Sequence, residues 1–348
     1  LSAQLDPNLA IQLRRQVPMK AAYIEQPGPP ENIRYGDLPV PSLTGSQVLV
    51  RVRAVSVNPV DTYIRAGTIA MDLPKPFIVG CDLAGVVEAV GPEVTGLKPG
   101  DRVWGSNQGL LGRQGTFSEF AAVEQRWLYP TPDRVADRDA AAIALVGITA
   151  HLGLFRHAKL QSGETLFVHG GSGGVGSCVV QMAKLVGARV ITTARSDEKV
   201  AICRELGADR VVNYCREDLD EAIAQCAPHG VDVWFETLRE PNLDRAVRHL
   251  AFRGRLILMA GREARPAFPV GPFYVKDGSA HGFAMFNSPA DEQRLAANQI
   301  NRWLAEGKLR ARISRIMSLA ETAAAHRLQE QSTVQGSGAL AGKIVLEP

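Results

Sequence analysis

The sequence is poor in the features that would mark several protein classes. Among its 348 residues are five cysteines, Cys81, Cys178, Cys203, Cys215 and Cys226, and no two form a Cys-x-x-Cys pair. An odd number without such a pair supports neither a disulfide framework nor a zinc finger, and suits a reducing, cytoplasmic compartment. Net charge is scarce as well. The formal charge of +3 is too small to argue for nucleic acid or an anionic membrane surface. No apolar run approaches the roughly 20 residues that a membrane span needs. Residues 1–18 hold no continuous apolar stretch, so they read as an N-terminal extension rather than a signal peptide, with Met19 just ahead of the first strand. Internal repeats and low-complexity segments are missing too.

What is present is ordinary globular composition, 45% hydrophobic and 22% charged, at a length that suits two domains. Residues 20–130 read mostly as β, with strand-like runs at Gln47–Val57 and Gly85–Val90 and turns such as Lys98-Pro99-Gly100-Asp101. This predicts a partly open, barrel-like domain. From about residue 145 strands alternate with helices, which predicts an α/β domain with a doubly wound parallel sheet. A strand is expected at His281–Phe286, a long helix at Ala290–Glu306, and a last strand at Gly342–Leu346 that returns to the first domain. The expected division is 19–144 with 288–348 for the first domain, and 145–287 for the second.

The run Gly171-Ser172-Gly173-Gly174-Val175-Gly176 contains G-x-G-x-x-G between an apolar strand, Thr165–His169, and an amphipathic helix. Gly171 is expected to make the tight turn. Gly173 lets backbone approach a pyrophosphate, and Gly176 brings helix and strand together. The N–H groups of the helix start then hold the anion. A purely structural glycine turn is the alternative. An NAD site places an acid at the end of the next strand, on the ribose hydroxyls. Here that strand ends Thr193-Ala194, followed by Arg195-Ser196 and then Lys199. Cations without an acid favour the extra phosphate of NADPH. Ser196 also suits the N-cap of the helix that follows, and solvated Arg195 and Lys199 remain the plain alternative.

Taken together, these motifs resemble the medium-chain dehydrogenase/reductase superfamily, and within it the zinc-independent quinone oxidoreductase, zeta-crystallin-like branch. The resemblance is carried by Val57-Asn58-Pro59-Val60-Asp61-Thr62-Tyr63, Gly80-Cys81-Asp82-Leu83-Ala84-Gly85, Leu97-Lys98-Pro99-Gly100-Asp101, the glycine loop, Leu206-Gly207-Ala208-Asp209 and Gly342-Lys343-Ile344-Val345. It implies a GroES-like catalytic domain, a Rossmann domain, a small-molecule substrate and a homodimer. Where zinc relatives carry ligands, this chain has Asn58, Cys81-Asp82 and Val146, and no four-cysteine lobe lies between Gly100 and Gly115. Catalytic zinc needs three protein ligands, so no metal is expected.

The resemblance also implies the site residues. Tyr63, Asn58 and Asp61 are the catalytic candidates, with Asn58 beside the nicotinamide ribose. Thr149, opening a helix after residue 145, approaches the nicotinamide. Tyr214 reaches the adenosine phosphate. Met259, Ala260 and Phe283 flank the nicotinamide, and Lys343 lies near the cleft or is a surface charge. Relatives carry a second pocket tyrosine where this chain has Ile69. Hydride transfer from NADPH to a quinone or conjugated carbonyl is the expected activity. Reduction of an enone C=C bond with quinones incidental, and NADPH binding without turnover, are its rivals.

Overall fold

The computed structural model describes residues 18–348; the expected extension at 1–18 lies outside them apart from Pro18. The chain packs as two units, one of residues up to Leu145 with Ile313–Pro348, the other Val146–Arg312.

The first unit opens with β1 (Pro18–Ile24), β2 (Arg34–Pro39) and β3 (Gln47–Val57). The helix α1 (Pro59–Ala66) follows, then β4 (Phe77–Ile78), β5 (Leu83–Val90), β6 (Arg102–Gly105), β7 (Phe120–Glu124) and β8 (Leu128–Pro130). Helix α1 is marked by local signals. Pro59 starts it, Asp61 sits in its first turn, Arg65 in its last, and Gly67 ends it in the left-handed region at φ 78°. Helix α2 (Asp137–His151) carries the chain into the second unit and continues as a π-helical turn over Leu152–His157.

The second unit holds β9 (Thr165–Val168), α3 (Gly174–Leu185), β10 (Arg189–Ala194), α4 (Asp197–Glu205), β11 (Arg210–Asn213), α5 (Leu219–Cys226), β12 (Val231–Glu236), α6 (Leu243–His249), β13 (Leu250–Leu258), α7 (Val270–Tyr274), β14 (Ser279–Gly282) and α8 (Ala290–Ala305). Its six strands form a parallel sheet in the order β11-β10-β9-β12-β13-β14. The order reverses between β9 and β12, the switch point where such sheets bind ligands. Phe167, Ile191, Val212, Trp234 and Leu256 build the core on one face. The chain then returns to the first unit as β15 (Ile313–Ser318), α9 (Thr322–Thr333) and β16 (Lys343–Glu347). The larger sheet of that unit runs β15-β16-β3-β5-β6-β8, with β7 also paired to β3.

Three expectations change. The second boundary falls after Arg312, not before residue 288, because α8 is bound within the second unit. Arg156 pairs with Glu292 at 2.5 Å, His151 bonds Gln299 at 2.8 Å, and Trp303 packs against the rings of His151 and Phe155. The expected strand His281–Phe286 is instead β14 at Ser279–Gly282 followed by a 3-10 turn at Met285–Asn287, where Met285 turns inward and Gln293 holds its carbonyl. The third concerns the apolar runs. Asp137–His157 is long and apolar enough to pass for a membrane span by composition, but 78% of its apolar window is buried inside the protein, as in a core helix.

Candidate functional site

The glycine loop lies at the carboxyl end of β9. Its tight turn belongs to Gly170, at φ 62°, and not to Gly171 as expected. Gly171 is needed for another reason. A Cβ there would lie 2.5 Å from Thr192 Oγ1 on the neighbouring strand. At Gly176 a Cβ would lie 2.2 Å from the Gly170 carbonyl oxygen, so only glycine lets α3 start this close to the turn. The loop is tied to β10, since Gly170 N donates to Thr193 Oγ1 at 2.9 Å and Gly171 N to Thr193 O at 3.3 Å. The result is a glycine-lined turn at a helix start, with Ser172 and Val175 its only side chains, which fits a dinucleotide pyrophosphate.

Beside this cradle β10 ends in buried Ala194, and exposed Arg195 follows. Ser196 caps α4, its Oγ accepting from Lys199 N at 3.4 Å. Tyr214 is brought alongside by the bond from its N to Ala194 O at 3.2 Å. Burial lowers the Lys199 ammonium, and the Arg195 charge lowers it further; burial raises the Tyr214 phenol while Arg195 opposes that. These three side chains therefore share one electrostatic neighbourhood. Of the two acids that open α4, Asp197 is engaged by Asn213 Nδ2 at 3.1 Å and Arg216 Nη1 at 2.8 Å, while the Glu198 charge acts on Lys199 and raises it.

The other expected cofactor residues divide. Met259 and Ala260 are half-buried just past the end of β13. Phe283 is held by the bond from its N to Leu258 O, and its ring stacks on His157 at 4.6 Å. Thr149 does not open a helix. It is a buried residue near the end of α2, whose Asp137 start escaped notice. His169 precedes the loop, buried against the rings of Phe167 and Trp234, and 3.7 Å from Glu236. Burial drives it down to about 4.

In the first unit the catalytic candidates gather at the β3–α1 corner. Tyr63 is half-buried on α1. Asn58 and Asp61 are buried, and Asp61 Oδ2 accepts from Asn58 N at 2.7 Å. Asn58 Nδ2 donates to Asp82 Oδ2 at 2.7 Å, and Ser56 Oγ reaches the same oxygen at 2.8 Å. Lys343 is no surface charge. It is 5% exposed, and its ammonium donates to Asn58 Oδ1 and, at 2.7 Å, to Val57 O. Burial pushes Asp61 up to about 7, with Asp82 acting in the same direction. Burial also raises Asp82, against the pull of Lys343. Cys81 is wholly buried, and burial with the neighbouring Asp61 lifts its thiol. All five cysteines are free thiols. Among the described residues no three His, Cys, Asp or Glu side chains come together as a metal site.

The residues that sequence reasoning missed here are Ser56 and Gly170, together with the engagement of Lys343 by Asn58. The last has no local signal, since 285 positions separate the partners. At the C-terminal end of α1 a cleft of about 590 Å³ is lined by Ile64, Ile69, Met71, Asp72 and Leu73, among others. The loop that forms it is tied to α1, since Ile69 N donates to Tyr63 O at 3.3 Å.

Comparison with known proteins agrees with this geometry. Residues 44–133 match the alcohol dehydrogenase GroES-like domain, and residues 174–301 match the zinc-binding dehydrogenase family. Human quinone oxidoreductase is 32% identical over 330 residues, which cover 94% of this chain and 97% of the relative. A mycobacterial protein solved in complex with NADPH superposes with a TM-score of 0.83 at 28% identity, covering 95% of this chain and all of the other. An NAD-dependent alcohol dehydrogenase superposes with a TM-score of 0.85 at 30% identity, with the same coverage. The chain belongs to the medium-chain dehydrogenase/reductase superfamily and is a nicotinamide dinucleotide-dependent oxidoreductase.

Proposed function

We propose that this protein reduces quinones or related conjugated carbonyls with NADPH, without zinc. The observation that carries the reading is the basic cluster beside the glycine loop. Arg195 and Lys199 stand where the adenosine ribose of a cofactor held in the cradle would lie; of the acids beside them, Asp197 is committed to Asn213 and Arg216, and Glu198 offsets part of the Lys199 charge. A ribose phosphate there gains charge-assisted hydrogen bonds, and it offsets the cost of Lys199 in the first turn of α4. Bound in the cradle, the reduced nicotinamide supplies the hydride.

The chain's own part is binding, orientation and exclusion of water. Gly170–Gly176 hold the pyrophosphate, and Tyr214 covers the adenosine end. Tyr63, half-buried on α1, donates its hydroxyl to an acceptor carbonyl. Asn58 and Asp61 serve from behind as the fixed base of that helix. Ile69 in place of a second pocket hydroxyl favours an enone as the second reading. At the metal position the side chains are an amide, a buried thiol and a carboxylate that is already engaged by Ser56 and Asn58.

The assembly we propose is a homodimer in the cytoplasm. Strand β14 ends its sheet, and Phe252, Val270, Tyr274 and Val275, in the segments just before it, are exposed. An edge strand beside apolar side chains suits pairing with a second copy across a two-fold axis. Free thiols suit a reducing compartment. The functional test is oxidation of NADPH in parallel with benzoquinone, phenanthrenequinone and methyl vinyl ketone, with and without EDTA. Turnover that ignores EDTA supports the reading, and the acceptor ranking separates quinone from enone. Tight NADPH binding with no turnover would leave a cofactor-binding protein instead.

A further inference from the structure

Asn58 sits between two groups of opposite hydrogen-bonding capacity. The Lys343 ammonium has donors only, and it is directed at Asn58 Oδ1 and Val57 O. The Asp82 carboxylate has acceptors only, and it receives Asn58 Nδ2 at 2.7 Å, Ser56 Oγ at 2.8 Å and Leu145 N at 3.2 Å. The amide's other N–H faces Ser56 O at 3.3 Å. The orientation of this side chain is therefore set by its partners, and both of its donors are spent within the protein. None of Asn58 or Asp82 is exposed, and Lys343 lies 3.9 Å from Asp82 Oδ2. The amide therefore has no N–H to offer a ligand, and a buried polar network with its members satisfied is a means of holding backbone.

We propose that Lys343 is a positioning residue for the reduction: from β16 it pins the β3–α1 corner, and through it the helix that carries Tyr63. This rests on the reading above in which α1 presents Tyr63 to the acceptor. The geometry points away from Lys343 as a direct cofactor contact, because its ammonium is turned toward Val57 O and Asn58 Oδ1. Asp82 and Asp61 both feel its charge, so the network loses its counterion when the ammonium is removed. Neutral methionine of similar length keeps the packing and removes the pin. Arginine keeps the charge.

The test compares Lys343→Met and Lys343→Arg in the full-length protein. Three quantities are read: amide exchange over residues 57–64, the Kd for NADPH, and kcat/KM for the acceptor. The pin predicts that Lys343→Met speeds exchange at the start of α1 by at least about tenfold. It predicts kcat/KM for the acceptor lower by about tenfold or more, with Kd for NADPH within about threefold of wild type. Adding Asn58→Ala to Lys343→Met then costs little more, since both act on one network. Unchanged exchange would overturn the proposal. So would a loss of NADPH affinity in step with kcat/KM, which would make Lys343 a cofactor contact. If the wild-type protein reduces no acceptor, the functional reading fails, while the exchange result still decides the pin. If Lys343→Met does not fold, Lys343→Arg decides: protection at the start of α1 kept by the cation supports the pin, and its loss in a folded protein overturns it.

Discussion

In the proposed reading Arg195 and Lys199 carry the preference for NADPH, and the two residues can be tested apart from everything else. Arg195 is exposed, and the cap of α4 comes from Ser196, so α4 keeps its cap when both side chains are changed. Replacing both with neutral residues is expected to weaken NADPH by roughly one to two decades, and NADH by less than about threefold, as expected when one charged phosphate contact is lost. Fluorescence titration with each cofactor measures this; equal weakening would mean that neither residue reads the phosphate. Asp61 gives a second prediction at this scale. Its folded value of about 7 lies above the ordinary 3.8, so the folded state holds the proton more tightly. Its contribution is therefore present at low pH and is lost as pH rises from about 4 to about 7, on the order of 1 kcal/mol per pH unit at its steepest. Asp61→Asn keeps an acceptor for Asn58 N and removes the titration. The variant should show a flatter stability curve in that window, by urea unfolding at several pH values. A curve parallel to wild type would show that Asp61 titrates normally.

At the scale of elements, much of the architecture was legible and some was not. Helix α1 could be read because its punctuation is local: Pro59, Asp61 and Gly67 each act within one turn. The glycine loop could be read from spacing, but which glycine turns and which yields space depends on Thr192 of the next strand. Helix α2 lost its beginning because Ala140, Ala141, Ala142, Ile143 and Ala144 are all buried, so it shows no polar stripe to set a period. Helix α9 went unread for the opposite reason. Its sequence is rich in polar residues, and its partner is Arg65 of α1, 265 positions away, which bonds Glu330 and is 1% exposed. Removing Glu330 takes away that guanidinium's carboxylate partner and leaves it the Gly28 carbonyl and the charge of Glu31. Glu330→Ala is expected to destabilise by about 2–3 kcal/mol, somewhat below the cost of breaking a fully buried pair, because Glu330 is 23% exposed. Chemical denaturation tests it, and a loss under about half a kcal/mol would mean that the pair is solvent-screened like a surface bridge.

At the scale of the whole molecule, two of the buried histidines, one in each unit, weigh most on the acid limit. Burial holds His169 at about 4 and His326 at about 3, below the ordinary 6.5. The unfolded chain therefore binds more protons than the folded one once pH falls below about 6.5. Stability from these groups is complete above that value and is lost progressively toward pH 4. Asp61 acts in the opposite sense over the same window, so the test is a difference: lowering the pH from 7.5 to 5 should cost the wild type more Tm than it costs His326→Leu. The division into a β-rich unit and a doubly wound unit was legible from the change of period near residue 145. The return point was not, because α8 belongs to the second unit through pairs such as Arg156 with Glu292, which no local pattern announces. The central claim is a reductase that takes its hydride from NADPH. The most direct test is the ratio of kcat/KM for NADPH to that for NADH, with benzoquinone as acceptor and EDTA present. The account predicts turnover with NADPH favoured by at least about tenfold. Equal use of the two cofactors, a preference for NADH, or loss of turnover in EDTA would contradict it.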